Sequence, residues 1–167
     1  MTIAEFDHLS EEKKTELLLQ CCGSAAWVSK MLTVFPVEDL VELLDAAEEK
    51  WYECNEDEWK QAFEHHPKIG DINSLKEKFS DTKAWATNEQ SGIDDANEKV
   101  LADLSVGNTT YQDKFGYIFI VCATGKSADE MLALFKERIN NSPEKEVQIS
   151  AAEQLKITRL RLEKLFY

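Results

Sequence analysis

Phe115-Gly116-Tyr117-Ile118-Phe119-Ile120-Val121-Cys122-Ala123-Thr124-Gly125 is the stretch whose reading decides the fold. Its aromatic and β-branched residues suit a strand. A strand needs a partner, however, and no other segment of this chain has comparable quality. Left alone, its backbone N–H and C=O groups would be buried unpaired. The stretch is therefore read as a buried helix or an extended connector. The fold that follows is all-α, a single-domain, bundle-like arrangement of about eight helices over residues 1–167.

Working outward, helix punctuation is clear on both sides. Ser127-Ala128-Asp129-Glu130 forms a capping box ahead of Met131, Leu134, Phe135 and Arg138. Ser142-Pro143 gives an N-cap with proline in the first helical position, and the last helix runs on almost to Tyr167. Upstream, one helix is expected from about Asp94 to Val106, stopping at Gly107, and another from Asn108 through Tyr111, Phe115 and Ile118. Ser10 caps a helix carrying Leu17, Leu18 and Cys21 that stops near Gly23, and Ser24 caps a short successor with Trp27, Val28 and Met31. Val37 to Cys54 places Leu40, Val41, Leu44, Ala47 and Trp51 at helical spacing. Asn55 and Glu58 make a second capping box, after which Trp59, Ala62, Phe63 and His66 fall at i, i+3, i+4 and i+7. His66 thus ends the buried face of its helix, and Pro67 forces the chain to turn. Residues 68–92 are polar and weakly periodic, and are read as a loop with one short helix.

Composition narrows the function classes. The 167 residues fit one domain and carry a formal net charge of −13. Nucleic acid and anionic membranes both demand a basic face, so neither is an expected partner. An anionic small molecule would need a local cation to hold it. Cys21, Cys22, Cys54 and Cys122 show no CxxC pair and no secreted-type spacing. Residues 1–10 lack the apolar run of a signal peptide, and the most apolar run, Tyr117 to Ala123, is too short to span a bilayer. The last residues carry no peroxisomal tripeptide, and a cytoplasmic location is expected.

Three constellations carry chemistry. A histidine at a proline-terminated helix end is both held and accessible, and its near-neutral titration suits proton transfer. His65, its neighbour, falls on the solvent side. Glu89-Gln90 pairs a carboxylate able to orient an imidazole with an amide that matches donors and acceptors of a planar, urea-like ligand. Arg159 and Arg161 lie on the last helix, and one of them facing inward would clamp a carboxylate. Periodicity alone does not say which. A metal site is not expected, because adjacent side chains such as His65 and His66, or Cys21 and Cys22, diverge by about 100° on a helix.

Taken in order, six segments resemble one family, the 2-oxo-4-hydroxy-4-carboxy-5-ureidoimidazoline (OHCU) decarboxylases. They are Cys22-Gly23-Ser24-Ala25-Ala26-Trp27, His66-Pro67-Lys68-Ile69-Gly70, Glu89-Gln90-Ser91-Gly92, Lys114 to Ala123, Arg138 to Glu144, and Ile157-Thr158-Arg159-Leu160-Arg161-Leu162. The resemblance implies a homodimeric, cofactor-free enzyme of urate degradation that turns a small anionic purine derivative into (S)-allantoin and carbon dioxide. It matches His66 to the catalytic histidine and Glu89 to its carboxylate companion. It assigns substrate contacts to Pro67, to Ala86, Thr87, Asn88, Glu89 and Gln90, and to Arg161. The main chain of Phe119, Ile120, Val121, Cys122 and Ala123 is the remaining contact it implies. Ala86 stands where the family often has serine, so one hydroxyl contact is missing. Competing readings are a non-catalytic helical interaction module and another ureide-pathway enzyme, such as the preceding hydrolase. Neither the module nor its amphipathic helices would explain a histidine on a buried face followed by Glu-Gln.

Overall fold

The computed structural model describes residues 1–66 and 95–167, with the side chains of 95–97 excepted. Among the described residues there are eight helices and no strand, and the protein is all-α. They are α1 (Ile3–Asp7), α2 (Glu11–Cys21), α3 (Ala25–Leu32), α4 (Leu40–Tyr52), α5 (Glu56–Glu64), α6 (Asp95–Phe115), α7 (Ala128–Arg138) and α8 (Pro143–Leu165). The stretch 68–92 lies outside the described residues. No helix among the described residues is long and apolar enough to cross a membrane.

The helices fall into two compact units. One comprises residues 1–66 and 147–167, and the other is formed by the described residues 95–146. Helix α8 is continuous across the boundary, giving its first turn to one unit and the rest to the other.

In the first unit, three indoles set the frame. Trp27 Nε1 donates to the Ala47 carbonyl at 3.0 Å, Trp51 Nε1 to Ala151 at 2.9 Å and Trp59 Nε1 to Trp51 at 2.9 Å. Each ring buries its apolar body while its one polar atom keeps a partner, which is what makes a core tryptophan affordable. Because Ala151 belongs to α8, the Trp51 bond ties that helix directly to α4. Phe6, on a short α1 that periodicity did not signal, packs between Phe35 and Phe166 at centroid distances of 4.7 and 5.1 Å. Thr2 and Glu5 form the capping box that starts α1.

Two sequence expectations need correction here. Helix α4 begins at Leu40 rather than Val37, because the Asp39 side chain accepts the Glu42 N–H and fixes the start there. The buried stripe then runs through Leu43, Leu44, Ala47 and Trp51, leaving Val41 66% exposed.

The second unit corrects a third. Gly107 does not end a helix, and α6 runs unbroken through it and Asn108. A Cβ at Gly107 would lie 2.8 Å from Cε1 of Phe135, so glycine is there to let α7 approach. Leu101 and Leu104 of α6 pack with Met131 and Leu132 of α7 and with Val121. Burying each such side chain stabilises by roughly 1.5–3 kcal/mol. Val121 lies in the stretch that decided the fold. Residues 118–123 are neither helix nor strand but an extended connector, entered through Gly116 at φ +82°.

Candidate functional site

The capping box of α5 holds its start, and Trp59, Ala62 and Phe63 bury one face. The helix ends at Glu64 with His65 as C-cap, and His66 follows with its N–H on the Phe63 carbonyl at 3.3 Å. His66 is therefore two residues past the helix, half-buried, while His65 is exposed. Its ring faces α8. His66 Nε2 lies 2.5 Å from Oε1 of Gln154, whose Nε2 donates to Thr158 Oγ1 at 3.2 Å. Gln154 is fully buried and Thr158 is 2% exposed. Hydrogen bonding from the Ser24 backbone and the Thr158 side chain works to lower the Cys22 thiol. Burial nevertheless pushes the Cys22 thiol up to about 12 and the Cys21 thiol up to about 11. Both thiols stay protonated at neutral pH, which removes them as nucleophiles.

Gln154, Thr158 and Arg161 fall at i, i+4 and i+7, so all three share one face of α8. Arg161 Nη1 donates to the carbonyls of Gln20 and Cys21 at 3.4 and 3.2 Å, at the end of α2. It has no carboxylate partner among the described residues. Of its five N–H groups, those on Nε and Nη2 also meet no acceptor there. Arg159 is different, since its guanidinium is shared between the Leu44 carbonyl and the carboxylate of Glu48, both at 3.3 Å. The structure thus distinguishes two arginines that periodicity could not: Arg159 is ion-paired and Arg161 keeps donors to offer.

Close approach also shapes this wall. A Cβ on Gly23 would lie 2.3 Å from Cγ and 2.5 Å from Cβ of His65. Those atoms are near the backbone and cannot swing aside cheaply. Gly23→Ala is expected to lose about 1–3 kcal/mol of stability from this overpacking and to disturb the turn that carries His66. Urea denaturation would show it, and adding His65→Gly, which removes both overlapping atoms, should restore part of the loss. Equal stability of Gly23→Ala and the parent would contradict the contact.

In the second unit, the connector is held by one buried ion pair. Arg138 is 5% exposed and Glu146 fully buried. Their contacts measure 2.7 Å from Nε and 2.6 Å from Nη2 to the same carboxylate oxygen. Glu146 also accepts from Tyr111 Oη at 2.7 Å and Asn141 Nδ2 at 2.9 Å. Arg138 Nη1 donates to the Ile120 carbonyl at 2.7 Å, and its guanidinium lies 4.5 Å over the Phe119 ring. The Cys122 carbonyl accepts from Lys126 Nζ at 2.8 Å. The N–H groups of Ile120, Val121 and Ala123 meet no acceptor among the described residues. A segment clamped through its carbonyls, with donors left over, can hydrogen-bond a ligand.

A sequence model of the OHCU decarboxylase family matches residues 7–163. The chain belongs to the OHCU decarboxylase family. It is 36% identical over 147 residues to the uric acid degradation bifunctional protein of Arabidopsis thaliana, covering 87% of this chain and 45% of that one. It therefore spans about half the length of that plant relative. With the 2-oxo-4-hydroxy-4-carboxy-5-ureidoimidazoline decarboxylase of Halalkalicoccus jeotgali it shares 23% identity over 99% of this chain and 92% of the other. A crystal structure of OHCU decarboxylase in the presence of (S)-allantoin superposes with a TM-score of 0.73 at 35% identity, covering 95% and 99% of the two chains.

Of the residues that the OHCU decarboxylase resemblance singles out, His66 and Arg161 stand in the first unit and Phe119 to Ala123 in the second. Pro67, Ala86, Thr87, Asn88, Glu89 and Gln90 lie outside the described residues. Sequence reading missed Gln154, Thr158 and the Arg138–Glu146 pair. For Gln154 and Thr158 a signal existed, since they sit seven and three residues before Arg161, on its face of the helix.

Proposed function

We propose that this OHCU decarboxylase family member removes the carboxylate of 2-oxo-4-hydroxy-4-carboxy-5-ureidoimidazoline to give (S)-allantoin and carbon dioxide. The observation that carries the reading is the half-buried His66 ring, fixed at Nε2 by Gln154 on the α8 face that also presents Arg161. When the C–CO2 bond breaks, its electron pair moves from that ring carbon into the adjoining imine; the imine carbon then takes a proton while the hydroxyl loses one and becomes the carbonyl of allantoin. The substrate thus serves as its own electron sink, a task other decarboxylases give to a cofactor. What remains for the protein is to hold the scissile carboxylate out of the ring plane, stabilise the developing enolate and deliver one proton to one face. In this reading His66 moves that proton, with Glu89 as its carboxylate companion. Arg161 and Gln90 hold the anion, supported by the Nε and Nη2 donors of Arg161, which meet no acceptor among the described residues. Pro67, Ala86, Thr87, Asn88 and the main chain of Phe119 to Ala123 complete the substrate contacts, the last supported by the N–H groups of Ile120, Val121 and Ala123, which meet no acceptor among the described residues.

One domain spanning the chain carries this activity. A homodimer in the cytoplasm goes with it, supported by the family resemblance alone.

The test supplies freshly oxidised urate, with and without the hydrolase that makes the substrate, and follows allantoin by circular dichroism. Optically active (S)-allantoin should form faster with this protein present, and only when the hydrolysed intermediate is supplied. Allantoin appearing at the spontaneous rate and as a racemate would overturn the reading.

A further inference from the structure

We infer that Arg138 and Lys126 are positioning residues that turn two peptide groups of the connector into a cation-backed pair of donors, the N–H groups of Val121 and Ala123, for a substrate oxygen that gains negative charge. The catalytic consequence rests on the proposed decarboxylase reading. Arg138 Nη1 donates to the Ile120 carbonyl at 2.7 Å, and Lys126 Nζ to the Cys122 carbonyl at 2.8 Å. A carbonyl shares its planar peptide group with the N–H of the following residue. The two gripped oxygens therefore belong to the same peptide groups as the Val121 and Ala123 N–H. Both groups are trans, so each N–H points away from the cation on its own carbonyl. Two residues apart in an extended segment, the two N–H groups face the same side. Neither meets an acceptor among the described residues. A cation drawing on the oxygen polarises the amide, and hydrogen bonds linked in this way strengthen one another by roughly 10–30% per bond.

Local sequence builds the Lys126 grip. Gly125 takes φ +76°, a conformation that favours glycine, and the Lys126 N–H returns to the Ala123 carbonyl at 3.0 Å. The turn carries the Lys126 side chain back to Cys122. The two cations differ in what they add. Glu146 neutralises Arg138 at 2.6 Å, so Arg138 contributes chiefly placement. Lys126 meets no carboxylate among the described residues, and in a chain of net charge −13 it leaves the connector a local positive charge. Decarboxylation can use such donors. As the electron pair enters the imine, its nitrogen passes charge on to the adjoining 2-oxo group. Two aimed N–H groups favour that oxygen more strongly once it is charged, which lowers the barrier rather than merely tightening binding.

The experiment joins amide-proton spectroscopy to kinetics on the full-length protein. Lys126→Met removes the charge and its hydrogen bond together. The Ala123 amide proton should then move upfield. The Ile120 amide should hold its place, because its peptide carbonyl belongs to Phe119, which neither cation grips. Lys126→Arg keeps charge and donor, and should leave both signals near their parent positions. Adding (S)-allantoin to the parent should move the Val121 and Ala123 amide protons downfield. In turnover, kcat of Lys126→Met should fall by about 10-fold, less than the roughly 10²–10³-fold cost of losing an oxyanion donor outright, with KM little changed. Lys126→Arg should recover most of that loss. An unmoved Ala123 amide in folded Lys126→Met would overturn the inference. So would an effect of Lys126→Met confined to KM, which marks ground-state binding alone. If Lys126→Met fails to fold, unmoved Val121 and Ala123 amides in the allantoin-saturated parent would overturn it instead. Should the parent show no turnover, the decarboxylase reading falls, while the response of Ala123 to Lys126→Met still judges the polarised donors.

Discussion

Replacing Arg138 with methionine is expected to lower the unfolding free energy by about 3–5 kcal/mol, the usual effect of stranding one partner of a buried ion pair. Glu146 is fully buried and would keep only the Tyr111 hydroxyl and the Asn141 amide as donors. The Ile120 carbonyl would lose its partner at the same time. Urea denaturation measures the loss, and an unchanged midpoint would refute it. Adding Glu146→Gln to Arg138→Met removes the stranded charge while keeping an acceptor for Tyr111, so part of the stability should return. Turnover should not return with it. The guanidinium that holds the Ile120 carbonyl and covers the Phe119 ring is still missing, and the connector is no longer fixed there. A double variant that regains stability but not activity separates the pair's role in folding from its role in holding the connector.

His66→Asn should reduce stereoselective allantoin formation by about 10²–10⁴-fold, the range general acid–base groups contribute. The side chain is half-buried just beyond α5, and asparagine can still reach polar neighbours, so the fold should survive. Circular dichroism in the helical region and an unchanged urea midpoint would verify that. Full activity in a folded His66→Asn protein would sink the assignment of the proton to this residue.

Much of this fold is legible locally. Ser10, Ser24, Asn55 and Ser127 all cap the helices they announce, because a cap is a bond between residues three apart. Gly107 misled for the opposite reason. Its role is set by Phe135, which is distant in sequence, and local punctuation carries no trace of that contact. Val37 was taken as a helix start because proline precedes it, whereas Asp39 holds the bond that decides. Elimination of an unpartnered strand leaves a buried helix or an extended connector, and a helix expected to reach Ile118 instead ends at Phe115, with residues 118–123 in neither helix nor strand.

The site divides the same way. His66 is marked by Pro67 and by periodicity, both local. Gln154 reads as an ordinary helix glutamine until the fold brings it within 2.5 Å of a ring 88 residues away. Arg138 looks like a last-turn cation serving the helix dipole, and only the fold shows it paired with Glu146 beneath the connector.

The continuity of α8 has a bearing on synthesis. A ribosome adding about 5–20 residues per second needs roughly 4–18 s to travel the 88 residues from His66 to Gln154. Through that interval the nascent chain carries His66 without Gln154, and Arg138 once made waits a further 8 residues for Glu146. Arg138 then has no buried counterion and His66 no anchor. A single helix supplies both, so the two missing partners arrive together rather than accumulating along the chain.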